Sequence, residues 1–412
     1  MELAPKHTGL SVPRLERITE HLERRYIGSG KIAGAQVAVA RHGRLAYLRS
    51  FGQMDRERGR PMAEDAIFRI YSMTKPITSV ALMSLWERGE FQLDDPVSRF
   101  FPAWADQRVW TSGSGVLMNS VEPAQPMTVR HLLSHTAGLT YGGGLSALGA
   151  PMSLDPVERI WADLGMTRNR DEPLSVFVDK LAKAPLRFQP GERWMYSYAT
   201  DVCGALVERI SGQRFDRFLE ETIFGPLGMR DTAFFVPDDK ASRFAAAYTR
   251  GPDKKLMLQD DPATSPYRTE PAFFSGGGGL VGTTEDYLRF CEMLRRGGEL
   301  DGARILGPRT IELMRRNHLK DGQDIASLTV DGIVDGPQTG VGFGLGFAMT
   351  LDPVKADTPN VGDYYWGGAA STLFWIDPAE DLVVVFMTQL LPSRIFNFRG
   401  QLKSLVYAAI VE

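Results

Sequence analysis

At 412 residues the chain exceeds a typical single domain, and its 43% hydrophobic and 24% charged residues are those of an ordinary globular protein with two or three lobes. A net charge of −3, with no long run of lysine and arginine, argues against nucleic acid or anionic membrane as the main partner. No apolar run reaches the roughly eighteen residues of a membrane-crossing helix. The stretch Met1 to Pro13 lacks an apolar signal core, and Cys203 and Cys291, the two cysteines, fall in helical apolar patterns as buried free thiols; a reducing cytoplasm fits best.

In chain order, Ser11 can cap a helix that Pro13 opens, with Leu15, Ile18 and Leu22 on one face. Residues 36–41 and 45–48 read as strands around a His42-Gly43 turn. Ser72-Met73-Thr74-Lys75 follows, just ahead of the apolar segment Pro76 to Trp86, and no other Ser-x-x-Lys occurs in the chain. Positions i and i+3 share one face of a helical turn, so hydroxyl and amine can meet there. A serine hydroxyl becomes a strong nucleophile only when its proton is taken. A lysine can take it only as the neutral amine, which needs burial or nearby positive charge. The alternative is an N-capping serine with a solvated lysine one turn on.

From Pro76 to about Pro271 the chain is mostly helical pattern and long loops. Asp94-Asp95 flank a turn proline and read as structural. Residues 104–127, with Trp110 and two prolines, read as a surface loop and a candidate cover for a site. His131 and His135 are four apart, but Leu132 stands where a His-Glu-x-x-His zinc site has glutamate; with six histidines and no thiol pair, no metal site is expected. The glycine runs 142–144 and 276–279 lack the Lys-Ser/Thr of a phosphate loop and read as tight or mobile turns.

Tyr196-Ser197-Tyr198 follows the turn sequence Gln189-Pro190-Gly191-Glu192 and precedes an apolar helix through Leu206 and Ile210. A tyrosine at such a junction can serve as base and acid, and neighbouring ammonium charge favours its phenolate. The alternative is a core tyrosine with its hydroxyl bonded. Residues 345–349, 372–376 and 382–388 read as strands, with Asp377-Pro378-Ala379-Glu380 as a turn. Trp366-Gly367-Gly368-Ala369 precedes the second of these. Glycines beside an edge strand let another backbone come close and leave amides for a ligand oxygen, as an oxyanion hole requires; the alternative is a simple strand-entry turn. No Gly-x-Ser-x-Gly occurs, which excludes an α/β-hydrolase elbow. Leu402, Leu405, Val406, Ala409 and Ile410 have helical spacing.

Strands near both termini predict an α+β fold: one antiparallel sheet flanked by terminal helices, with a largely helical lobe inserted between its second and third strands. The boundaries read as 1–75 plus 272–412 for the sheet lobe and 76–271 for the helical lobe, with a site where they meet.

The order and spacing of Ser72-Met73-Thr74-Lys75, Tyr196-Ser197-Tyr198 and Trp366-Gly367-Gly368 resemble the three signatures of the serine β-lactamase and penicillin-binding-protein superfamily. Within it they are most similar to the class C β-lactamase-like branch, specifically the family VIII carboxylesterases. Residues 132–139, 276–280 and 386–389 also look like stretches of that branch, and the resemblance runs from about Leu15 to Tyr407. It implies a β-lactamase-like fold and acyl transfer through Ser72, with Lys75 and Tyr196 moving the proton and either as principal base. It further implies an oxyanion hole of the Ser72 and Ala369 amides, and no cofactor or metal. Trp366, Gly367, Gly368 and Tyr198 would contact substrate, with Trp110, Tyr141 and Phe274 as weaker aromatic candidates.

Two departures bear on substrate. Tyr198 stands where the β-lactamases have the asparagine of Tyr-x-Asn, and Trp366 where they usually have the lysine of Lys-Thr-Gly. An indole in place of a cation suits a neutral ester better than an anionic lactam. The resemblance therefore implies a small-molecule ester substrate with weak β-lactam turnover as a side activity. The alternatives are a β-lactam or D-amino-acid peptide hydrolase, an acyltransferase to an alcohol, and a non-catalytic binding protein.

Overall fold

The sequence Gly34 to Arg41 is apolar at nearly every position, and in the structure all eight positions are buried, which makes it a central strand covered on both faces. A computed structural model describes residues 3–4, 7–112, 120–142, 156–166, 169–330 and 338–412. Helix α1 (Val12–Leu22) precedes strands β1 (Gly34–Arg41), β2 (Arg44–Asp55) and β3 (Arg60–Pro61). Helices α2 (Thr74–Glu87), α3 (Ala199–Ser211) and α4 (Thr284–Arg295) follow. Then come β4 (Val341–Phe343), β5 (Ala348–Thr350), β6 (Tyr364–Gly367), β7 (Leu373–Asp377), β8 (Leu382–Thr388) and helix α5 (Phe398–Tyr407).

The eight strands form one sheet in the order β4-β5-β6-β7-β8-β1-β2-β3, antiparallel throughout. Val37 of β1 faces Phe386 on one side and Arg49 on the other, so the two ends of the chain meet at the sheet's centre. The β1–β2 turn has His42 and Gly43 at φ 54° and 70°, the backbone of a two-residue hairpin. At the β7–β8 turn the Asp377 carboxylate accepts the Ala379 N–H at 2.9 Å. Helix α4 packs on β8 and β1, and α1 packs on α5. Helix α2 is buried from Thr74 to Leu85, enclosed on every face, and packs against α3. The architecture is α+β, as the sequence predicts.

The differences are local. Strand β2 runs far beyond 45–48. Ser11 sits at the N-cap of α1, yet its side chain makes no capping bond. Residues 345–349 are not one strand: β4 and β5 flank a connection in which Gly346, at φ 96°, backs onto α2. A Cβ there would lie 2.3 Å from Ser79 Oγ, so the chain leaves the sheet where only glycine fits. Trp366 and Gly367 lie on a strand of their own, β6, as well as ahead of β7. Because β3 precedes the helices, the insertion falls between the third and fourth strands. Residues 104–127 are no plain loop: Arg108–Ser112 pairs with Ser120–Pro123 as a hairpin.

Candidate active site

Ser72 lies on a single 3-10 turn, Tyr71–Met73, directly ahead of α2. Tyr71 has φ 42°, a left-handed conformation that costs a side-chain-bearing residue about 1–3 kcal/mol and persists only where packing enforces it. It packs against the cluster of Ala247, Ala370 and Leu391, as Ala369 also does, and its ring lies edge-on to Tyr267 at 6.4 Å. The residue before the serine thus shares a small apolar cluster with the turn between β6 and β7, a contact no local pattern signals.

The N-cap of α2 is Met73, and Ser72 caps nothing. Its Oγ instead accepts from Lys75 Nζ at 3.2 Å, and Lys75 is only 1% exposed. The capping serine and solvated lysine are therefore not what the fold makes of this segment. Lys75 Nζ also donates to the Gly277 carbonyl at 2.6 Å and stands 4.4 Å from the Tyr196 ring centre and 5.7 Å from that of Tyr141. The glycine run 276–279 is thus neither a bare turn nor a phosphate loop; it threads beneath the lysine and offers it an acceptor.

Tyr196 enters from the segment before α3 and is 9% exposed. Its backbone is anchored through Met195 N–H to His135 O at 2.9 Å. Its ring lies 4.9 Å from His135, 5.5 Å from Tyr141 and 5.2 Å from Trp366. Trp366 is not only an apolar wall: its indole N–H donates to the Tyr196 phenolic oxygen at 3.1 Å. A donor there stabilises a phenolate, as a cation would. His135 is fully enclosed. Burial, and then the charge of Lys75, holds its pKa well below the usual 6.5, so it is a neutral ring behind Tyr196. His131 closes a capping box with Thr128, accepting the Thr128 N–H at 3.2 Å. Among the described residues no group of three or more His, Cys, Asp or Glu could hold a metal ion.

Gly368 turns the end of β6 toward Ser72. Its N–H donates to Thr372 O at 2.8 Å, and a Cβ on it would lie 2.4 Å from Ile70 O. That contact explains the glycine: strand end and nucleophile turn approach backbone to backbone. Ala369 follows, half-buried, its N–H given no acceptor among the described residues. Gly367 leaves room for Arg399, whose guanidinium donates to Trp366 O at 3.1 Å.

The structure thus brings Ser72, Lys75, Tyr196 and Trp366 into one cluster, with Gly368 and Ala369 against the serine's turn. Tyr198 is set one layer back: 1% exposed, its ring packs on Tyr141 at 4.6 Å and Phe177 at 5.0 Å. Of the weaker candidates only Tyr141 reaches the centre. Trp110 lies under Arg187, and Phe274 packs on Phe234 beneath Arg214. Gly143 and Gly144 lie outside the described residues. Chemically, the cluster offers a hydroxyl, an amine and a phenol in mutual reach beside a backbone amide. That set suits acyl transfer through a serine ester.

The chain matches the Beta-lactamase family over residues 19–407 and belongs to it. It is 35% identical to Protein Rv1367c of Mycobacterium tuberculosis, the match covering 89% of this chain and 88% of that protein. It is also 35% identical to Esterase EstB of Burkholderia gladioli, over 87% of this chain and 86% of that protein. Among solved structures, EstCE1, described as a hydrolase with promiscuous acyltransferase activity, superposes with TM-score 0.76 at 29% identity, over 97% of this chain and 99% of that one. The resemblance to the family VIII carboxylesterases read from the three motifs is borne out by this family and these relatives.

Proposed function

We propose that the protein is a serine carboxylesterase that hydrolyses short-chain neutral esters through an acyl-Ser72 intermediate, with weak β-lactam turnover as a side activity. Ser72 Oγ attacks the ester carbonyl. Lys75 and Tyr196 together take its proton and return one to the leaving alcohol, and the Ser72 and Ala369 amides hold the oxyanion. Water then releases the acid. No cofactor enters these steps. The observation that carries the ester reading is Trp366: at the third motif an indole, hydrogen-bonded to Tyr196, replaces a cation for a substrate carboxylate. Trp366, Gly367 and Gly368 would line the pocket, with Tyr198 shaping it from behind through Tyr141. In this reading the pocket would lie between a sheet lobe, 1–75 plus 272–412, and a helical lobe, 76–271. The buried free thiols of Cys203 and Cys291 support a reducing, cytoplasmic setting, and among the described residues no helix is long and apolar enough to cross a membrane.

EstB and EstCE1, an esterase and a hydrolase with promiscuous acyltransferase activity by their descriptions, support the same chemistry. The second description also favours transfer to an alcohol acceptor as a second reading. The test compares nitrophenyl esters of increasing chain length with nitrocefin, with and without added alcohol. Faster turnover of nitrocefin than of nitrophenyl butyrate would overturn the ester reading.

A further inference from the structure

The glycine segment beneath Lys75 is itself held by a carboxylate. Asp201, in the first turn of α3, is 0% exposed. Its Oδ1 accepts the Ser275 hydroxyl at 2.5 Å and the Gly277 N–H at 3.0 Å. Its Oδ2 is buried without a hydrogen-bond partner among the described residues. On the other side Thr78 of α2 donates its hydroxyl to Gly276 O at 2.8 Å. The segment is squeezed between the two helices: a Cβ on Gly276 would lie 2.5 Å from Thr200 O, and one on Gly277 2.5 Å from Asp201 Oδ2. Gly277 therefore touches Asp201 through its N–H and Lys75 through its carbonyl.

A buried carboxylate with one bare oxygen is costly unless a cation compensates it. Lys75 is a buried amine joined to it through a single residue of backbone. Resting on the acyl-Ser72 reading, we propose that Asp201 is a positioning residue that holds Lys75 as an ammonium ion through Gly277 and so leaves the base role to Tyr196. Four neighbours of Nζ favour the charged amine: the Ser72 hydroxyl oxygen, the Gly277 carbonyl and the faces of Tyr196 and Tyr141. His135 also faces Lys75 and is held neutral by burial. On the far side the Cys203 thiol faces Asp201, its pKa raised by burial and then by the Asp201 charge, so it stays protonated. The cation and the Trp366 N–H together favour the Tyr196 phenolate. As the bond from Ser72 Oγ to the carbonyl carbon forms, its proton passes to Tyr196. When the tetrahedral adduct collapses, Tyr196 gives that proton to the departing alkoxide oxygen. Lys75 remains an ammonium ion throughout.

Asp201→Asn keeps an oxygen for Ser275 and Gly277 but removes the charge. Ser275→Ala keeps the charge but removes its strongest donor. Two readouts decide: kcat/KM for nitrophenyl butyrate against pH, and titration of the Lys75 Cε NMR signal in protein with ¹³C-labelled lysine. In Asp201→Asn the alkaline limb and the Lys75 titration should both fall by about one pH unit, the low end of the effect of a nearby opposite charge. Ser275→Ala keeps the charge and leaves it less shielded, so both should hold or rise. An unmoved or raised Lys75 titration in a folded Asp201→Asn protein overturns the proposal. If that variant does not fold, a Lys75 titration that falls in Ser275→Ala overturns it. Wild type without ester turnover, but with the Lys75 shift present, would sink the esterase reading and leave the role of Asp201 standing.

Discussion

Among the described residues two lysines are buried, and their surroundings differ in kind. Lys403, on α5, meets the Asp363 carboxylate directly, accompanied by Thr358 Oγ1 at 3.3 Å and the face of Tyr365 at 5.0 Å. Burial lowers its pKa, and the Asp363 charge works against that shift. Lys75 donates to a hydroxyl and a carbonyl and faces two aromatic rings, and the Asp201 carboxylate lies one residue of backbone further out. A direct ion pair closes the ammonium off from chemistry and ties two elements together. A cage open toward Ser72 leaves the amine facing its hydroxyl. Burial alone does not mark a functional lysine; what stands in contact with it does.

The largest effect belongs to the group between the cage and the substrate. Ser72→Ala should remove ester hydrolysis with the fold intact, and intact-mass measurement with a slow ester should find one acyl group on wild type and none on the variant. An adduct on another serine would reassign the nucleophile. Lys75→Ala should lower kcat by roughly 10²-fold or more, the scale for a positioned acid–base group. Lys403→Ala should leave kcat nearly unchanged in the folded fraction. It should cost about 3–5 kcal/mol of stability, because Asp363 is left buried and unpaired. If Lys403→Ala loses activity while keeping its denaturation midpoint, the contrast between the two lysines fails.

The wall facing Lys75 gives a finer probe. Tyr196→Phe should lower kcat by about 10²-fold, and the double variant with Lys75→Ala should be far from additive. Trp366→Phe keeps the apolar ring and removes the N–H. A phenolate losing a donor is harder to form, so the acid limb of kcat/KM should move to higher pH. A limb that stays put would make Trp366 mere packing. The smallest effect lies in acid stability. Burial lowers the pKa of His131 to about 4 and that of His135 well below 6.5. Below pH 6.5 the unfolded chain binds protons there that the native state refuses, so stability should fall as pH drops from 6.5 toward 4. Lys75→Ala removes a charge that helps hold His135 neutral, so its slope should be shallower. Urea midpoints across that range measure it.

What could be read in the sequence was local. The three-residue spacing brings Ser72 to Lys75, and nearly continuous apolar runs mark β1 and β8. Turn chemistry marks His42-Gly43 and Asp377 to Glu380. The rest depends on contacts between distant segments. Gly276 and Gly277 look like turn residues until Asp201 and Thr78 are brought against them. Trp366 reads as apolar wall because composition does not reveal which way an indole N–H points. The break at Gly346 follows from a helix more than two hundred residues earlier. Tyr198 occupies a motif position, yet packing sets it a layer behind Tyr196.

The left-handed backbone at Tyr71 ties the state of the nucleophile to a patch of small side chains. Tyr71 packs there against Ala370, Ala247 and Leu391, and a left-handed residue of its size persists only where packing enforces it. If that packing loosens before the eight-stranded sheet does, the strained turn carrying Ser72 should relax first. On heating, reactivity toward a serine-directed fluorophosphonate should fade at a temperature below the calorimetric transition, and the gap between the two is the strain made visible.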